Sequence, residues 1–250
     1  MQNIKLILEY DGSEFFGFQR QPRQITIQEV LEKALSRFYD RKVKIKAASG
    51  RTDAGVHAEC QVVNFLAPVE REPAQIQKAL NALLPKSVAV REVERVRPGF
   101  HARYSARSKT YEYRVWNNPS RSPLRALHAA HVYDPLNLPR MRRAARLFLG
   151  RHDFKGFSSS RGKSEKGKRE NTVRAVKKFE IQREGSMIFF RVSADGFLYH
   201  MVRNMVGAVL DVGKGRLKVP DLKRILRGKD RRLAPAGAPA QGLRLLSVTY

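Results

Sequence analysis

Cysteine is nearly absent from the chain: Cys60 stands alone. No intrachain disulfide can form, and a zinc site built on several thiolates is excluded. Long apolar runs are missing too. No window approaches the roughly 18 uncharged apolar residues that read as a membrane-spanning helix. The opening MQNIKLILEY lacks a basic segment followed by an apolar block, so no secretory leader is expected there. There is no GxGxxG and no HExxH. GFSSSRGKS looks like a phosphate-binding P-loop, but that motif needs four residues between its first Gly and the Gly-Lys pair. Gly156 and Gly162 enclose five, and no apolar strand or helix flanks them. A P-loop nucleotide hydrolase is therefore rejected. His128 and His131 are spaced i, i+3 without nearby carboxylates to complete a metal site. They read as ordinary loop or surface histidines, and no metal is expected.

Acidic residues are scarce: 23 Asp and Glu stand against 49 Lys and Arg, a net charge of +26. A domain this basic meets a polyanion, with nucleic acid as the first candidate and an anionic membrane surface as the second. Arg outnumbers Lys, 31 to 18. The guanidinium fork binds phosphates and stacks on bases, which suits RNA. A biased genome or a hot habitat would give the same excess. The 250 residues are enough for one large domain or two small ones, and at 42% hydrophobic they can bury a core. The expected home is the cytosol.

Hydrophobic periodicity organises the chain. IKLILEYDG alternates and ends in a turn, so it reads as a strand. In TIQEVLEKALSRFYD, apolar Ile27, Val30, Leu31, Ala34, Leu35 and Phe38 give a helix with Thr26 as N-cap. VKIKA and CQVVNFLA read as strands, PAQIQKALNALL as a helix with Pro73 near its start, and VAVREVERV as a strand. The order is β-α-β-β-α-β, the ferredoxin-like arrangement. The second half repeats it. SKTYEYRVWN is a strand, and LPRMRRAARLFLG is a helix capped by Gly150. TVRAVKKFEIQ and MIFFRVSA form a hairpin around REGS. YHMVRNMVGAVLDVG and the shorter PDLKRILRG are helices, and GLRLLSVTY closes as a strand. The expected class is α+β, with residues 1–100 as one half and 101–250 as the other. Two long irregular stretches, Asn117 to Asn137 and the basic Lys155 to Asn171, read either as functional loops or as solvated linkers.

Three stretches carry candidate chemistry. SGRTDAGVHA, Ser49 to Ala58, follows a strand-like segment and sets Arg51 and Asp53 two apart between Gly50 and Gly55. Asp commonly bonds a neighbouring N–H in such turns. Loops held by a rigid sheet also collect catalytic residues. A carboxylate among cations stays ionised and can serve as a nucleophile, though not as a good general acid. In SKTYEYRVW, strand alternation puts Tyr111 and Tyr113 on one face and Glu112 and Arg114 on the other. Tyr111 is either a sheet-packing ring or a surface on which an unstacked base rests. In FLYHMVRNMVG, Arg203 lies at the rim of a helical apolar stripe, where it snorkels to solvent or reaches into a cleft.

Together SGRTDAGVHA, FHARYSARSKTYEYRVW, FLYHMVRNMVG and the closing APAQGLRLLSVTY resemble the TruA-type tRNA pseudouridine synthases, in order and over nearly the whole chain. The resemblance implies isomerisation of uridine to pseudouridine at positions 38, 39 and 40 of the tRNA anticodon stem-loop, with no cofactor. It implies that Asp53 is the catalytic nucleophile, attacking C6 or C1′ or assisting a glycal route. Tyr111 matches the tyrosine that packs on the target base, and Arg203 the arginine that pairs with the aspartate. Arg51 matches the residue that fills the space of the flipped nucleotide. The implied fold is two α/β halves sharing an extended, mainly antiparallel sheet with helices packed on it, the active-site cleft between them, working as a homodimer. Two other readings stand beside it: a non-catalytic basic RNA-binding protein built on the same charge and aromatic features, and an RNA-cleaving enzyme with His57 or His101 as acid and base.

Overall fold

The computed structural model describes residues 1–159 and 171–250. It is a mixed α+β chain whose strands pair mostly antiparallel, the class expected. Among the described residues it has ten strands and five α-helices. Contacts divide it into two units. The first is Met1–Arg107 with Arg244–Tyr250, and the second is Ser108–Leu243.

The first unit runs β1 (Gln2–Tyr10), α1 (Ile27–Tyr39), β2 (Ile45–Ala48), β3 (His57–Ala67), α2 (Pro73–Leu83) and β4 (Val88–Val96). Antiparallel β1 lies between β4 and β3, and β2 pairs antiparallel with β3. This is the ferredoxin-like sheet order. On β1 the alternation Ile4, Leu6, Leu8, Tyr10 is buried, as a period of two on a one-sided sheet requires. Helix α1 begins where Thr26 Oγ1 accepts the Glu29 N–H at 3.3 Å, a cap worth about 1 kcal/mol. Helix α2 starts with a Glu72–Gln75 capping box and Pro73 in its first turn.

The last strand, β10 (Leu243–Thr249), pairs parallel with β3 at Arg244 and Leu245. Its tail belongs to the first unit for a packing reason. Val248 and Tyr250 pack on the cluster of Val62, Phe100 and Ala102. The Tyr250 hydroxyl donates to the Ala102 carbonyl at 2.8 Å, and its ring lies 5.0 Å from that of Phe100. A buried amide relay fixes the same corner: Asn64 Nδ2 donates to Asn3 Oδ1 at 2.8 Å, Asn3 Nδ2 to the Phe100 carbonyl at 2.9 Å, and the Ala102 N–H to Asn64 Oδ1 at 3.0 Å. The contacts thus break after Arg107 rather than near residue 100, and they group the closing strand with the opening half.

The second unit holds β5 (Ser108–Asn117), β6 (Ala130–Val132), α3 (Leu138–Arg146), β7 (Gly150–Asp153), β8 (Val173–Glu184), β9 (Met187–Ala194), α4 (Met201–Gly213) and α5 (Val219–Gly228). Strand β9 pairs antiparallel with β5 and β8, and β8 with β7. Short β6 pairs parallel with β5. The stretch read as irregular between Asn117 and Asn137 therefore contains a strand, and a 3-10 turn at Pro123–Arg125 precedes it. Three residues are too few for periodicity to register. Gly150 does not cap α3. The helix ends at Arg146, with Leu147, Phe148 and Leu149 N–H groups tightening onto carbonyls three residues back. Gly150, at φ +92°, turns the chain into β7 instead. Phe148, Phe154, Phe157 and Phe179 pack under α3 and β8, with Phe148 at 5.0 Å edge-on to Phe157. Gly156 lies in the 3-10 turn Lys155–Phe157. The rest of the rejected P-loop lookalike from residue 160, Gly162 included, lies outside the described residues, as does most of the basic stretch to Asn171.

Candidate active site

The loop that carries Asp53 is built from both of its ends. At its entry, the Ser49 N–H donates to the Val62 carbonyl at 2.7 Å and Ser49 Oγ to Gln61 Oε1 at 2.6 Å. Gln61 Nε2 then donates to the Gly50 carbonyl at 2.8 Å. Gln61 is wholly buried on β3, so its amide extends the sheet's hydrogen bonding past the end of β2. Arg51 next turns out to solvent, while Thr52 turns in. Thr52 Oγ1 and the Tyr10 hydroxyl lie 2.8 Å apart in a buried hydrogen bond. Asp53 follows, half-buried. Its carbonyl accepts the Val56 N–H at 3.1 Å, closing a tight turn through Gly55 at φ +75°.

A second segment, Asp11 to Phe18, backs this loop. The Phe18 N–H donates to the Thr52 carbonyl at 3.0 Å, and the Gly55 N–H to the Phe15 carbonyl at 3.3 Å. Two glycines make the approach possible. A Cβ on Gly12 would sit 2.0 Å from the Val56 carbonyl oxygen. One on Gly17 would sit 2.7 Å from the Thr52 oxygen and 3.1 Å from the Asp53 carbonyl carbon, and Gly17 has φ +85°. The peptide planes on both sides of Asp53 are thereby fixed by neighbouring backbone.

The two histidines of the RNA-cleaving reading each accept backbone N–H groups, and His57 Nδ1 also lies 3.1 Å from Asp11 Oδ1. His57 is buried, and its Nδ1 accepts the Gly12 N–H at 3.1 Å. His101 Nδ1 accepts the N–H groups of Arg103 and Tyr104 at 3.2 and 3.3 Å.

In the second unit, Tyr111 stands on β5 opposite Val192 of β9. It is 8% exposed, and its ring meets Phe197 edge-on at 5.1 Å. Glu112, on the other face, is buried beneath two guanidinium groups, Arg114 Nε at 2.7 Å and Arg191 Nε at 2.9 Å. Burial pushes its carboxyl up, but the hydrogen bonds from Arg191 and Arg114 outweigh that and hold it below the usual carboxylate range. Tyr113 is fully buried, and its hydroxyl donates to the Pro239 carbonyl at 2.8 Å. Burial raises its phenol above the ordinary value, and the positive charge of Arg203 offsets only part of this. Helix α4 is buried at nearly every position from Met201 to Gly213. Arg203, half-buried, is an exception in that run. It does not simply snorkel: its Nε donates to the Ala238 carbonyl at 2.8 Å.

Of the four predicted site residues, Arg51 and Asp53 share one loop of the first unit, while Tyr111 and Arg203 belong to the second. The residues that fix the Asp53 loop, Tyr10, Gly12, Gly17 and Gln61, escaped the sequence reading. Their one signal was the pair of glycines in EYDGSEFFGF, of which the first was read only as the turn that ends a strand.

A family model described as tRNA pseudouridine synthase matches residues 6–105 and 144–250. The tRNA pseudouridine synthase A of Methylacidiphilum infernorum (isolate V4) is 46% identical over 246 residues, covering 98% of this chain and 94% of that protein. The protein of that name from Geobacillus kaustophilus (strain HTA426) is 44% identical, covering 100% and 95%. The one from Acetivibrio thermocellus is 39% identical and spans both chains completely. Identity of this size, held from one end to the other and through both units, places the chain in the tRNA pseudouridine synthase family.

Proposed function

We propose that this protein isomerises uridine to pseudouridine at positions 38, 39 and 40 in the anticodon stem-loop of tRNAs. The observation that carries the reading is the unbroken similarity to proteins named tRNA pseudouridine synthase A across both units. The net charge of +26 suits a polyanionic substrate.

The reaction breaks the N1–C1′ bond, turns the base, and joins C5 to C1′. N1 gains a proton and C5 loses one, so atoms and electrons balance without a cofactor. Asp53 acts as the nucleophile, on a loop whose backbone is held by neighbouring backbone on both sides. By the family resemblance, Arg203 is the arginine that pairs with the aspartate in the reaction. Tyr111 packs on the target base. A uridine in a stem must leave the stack, at a cost of a few kcal/mol. Exposed Arg51 fills the vacated space. The protein acts as a homodimer, a reading supported by the family resemblance, and works in the cytoplasm. Among the described residues, no helix is long and apolar enough to cross a membrane.

The test is site-resolved mapping of pseudouridine in unmodified tRNA transcripts after incubation with the purified protein. The reading expects new pseudouridine at positions 38 to 40 and unchanged RNA length. Shortened RNA, or bound RNA with no pseudouridine in any transcript, contradicts it.

A further inference from the structure

We infer that Arg231 and Asn204 are positioning residues for Arg203, acting through the backbone strap 234–239. The inference rests on the reading that Arg203 works in the reaction.

The strap has the sequence APAGAP, which offers little side chain to pack and no regular backbone pairing. It nevertheless lies directly on α4. A Cβ on Gly207 would sit 2.2 Å from the Ala236 carbonyl oxygen. One on Gly237 would sit 2.6 Å from Asn204 Oδ1. The strap and Arg203 exchange hydrogen bonds: Arg203 Nε donates to the Ala238 carbonyl at 2.8 Å, and the Ala238 N–H donates back to the Arg203 carbonyl at 2.9 Å. Tyr113 holds the next carbonyl, that of Pro239. The Arg203 side chain is therefore tied at its Nε to the position of Ala238 in the strap.

What sets the strap is a second arginine. Arg231 Nη1 donates to the carbonyls of Ala234 at 2.7 Å and Pro235 at 3.0 Å, and its Nη2 to Asn204 Oδ1 at 3.1 Å. Asn204 is 2% exposed and its Nδ2 donates to the Phe157 carbonyl at 2.8 Å. One fork thus ties two strap carbonyls to a buried residue of α4 adjacent to Arg203. Only a guanidinium reaches three acceptors in that planar geometry. An arginine side chain samples many rotamers when free, so a fixed Nε partner narrows the orientations that Arg203 samples before any substrate arrives.

The experiment compares Arg231→Gln, Arg231→Lys and Arg203→Lys in the full chain, alone and combined. It measures the single-turnover rate of pseudouridine formation, tRNA affinity and melting temperature. We expect Arg231→Gln to slow the chemical step about tenfold or more, the scale of a misplaced catalytic group, with tRNA affinity unchanged. Arg231→Lys should recover part of the rate. In the Arg203→Lys background, neither Arg231 change should cost further rate, since Arg231 acts through Arg203. Equal losses in both backgrounds, or a full rate in Arg231→Gln, overturn the inference. If Arg231→Gln does not fold, Arg231→Lys in the two backgrounds gives the same comparison. A full rate in Arg203→Lys alone overturns the role of Arg203 itself, and is distinguished by that single variant.

Discussion

The Tyr10 hydroxyl and Thr52 Oγ1 are joined by a buried 2.8 Å hydrogen bond, one residue before Asp53. It links the end of β1 to the loop proposed to carry the reaction. The two residues are 42 apart in sequence and are brought together by the pairing of β1 with β3.

Tyr10→Phe deletes that hydroxyl and leaves Thr52 Oγ1 without this partner. We expect a loss of about 1 kcal/mol in stability, read by urea unfolding, together with slower isomerisation at unchanged tRNA affinity. The ring keeps its packing, so the sheet stays intact. A stability equal to wild type with full activity would show that the bond does not hold the loop.

Gly17→Ala must either move the Asp53 loop or strain the backbone, because its Cβ meets the Thr52 oxygen at 2.7 Å at φ +85°. We expect a cost of roughly 1–3 kcal/mol from the backbone region alone, and loss of most activity. Gly185→Ala is the control. It also has positive φ, at +58°, but nothing lies within 4 Å of its new Cβ. It should lose stability by up to about 1–3 kcal/mol and keep its activity. Equal activity losses in the two variants would refute the close-approach argument.

Glu112 supplies a pH dependence. Its carboxyl is held below the usual carboxylate range in the folded chain by Arg191 and Arg114, against burial. A depressed folded value means the contribution is present above the unfolded value and is lost as pH falls through the folded one. Glu112→Gln should therefore be less stable than wild type at pH 7, by about 1–3 kcal/mol for hydrogen bonds to charged groups. The gap should shrink as pH is lowered below the ordinary glutamate value. Urea unfolding of both chains between pH 7 and pH 3 checks this, and a gap that stays constant contradicts it.

Periodicity made the regular elements legible. The α1 stripe from Ile27 to Phe38, its Thr26 cap and the alternation of β1 all follow from spacing alone, because burial on one face leaves a period in the sequence. Elements without a period were not legible. Strand β6 has three residues, and the strap over α4 has no period although its Ala238 carbonyl accepts from Arg203 Nε. Helix α4 is buried almost all round, with the strap against Gly207 and Met141 of α3 against Gly213, which no amphipathic count reveals. Asp53 could be picked out by its motif, but the reason its loop is rigid could not. That reason lies in Gly12, Gly17 and Tyr10, which belong to a different stretch of chain.

The central claim is that Asp53 performs the chemistry on tRNA. The most direct measurement uses unmodified tRNA carrying tritium at uridine C5, since the new C–C bond displaces that hydrogen. Wild type is run beside Asp53→Asn and Asp53→Ala, with tRNA binding measured in parallel. The account predicts tritium release by wild type, none by either variant, and binding retained in all three. Release by Asp53→Asn at the wild-type rate, or no release by wild type from any bound tRNA, would contradict it.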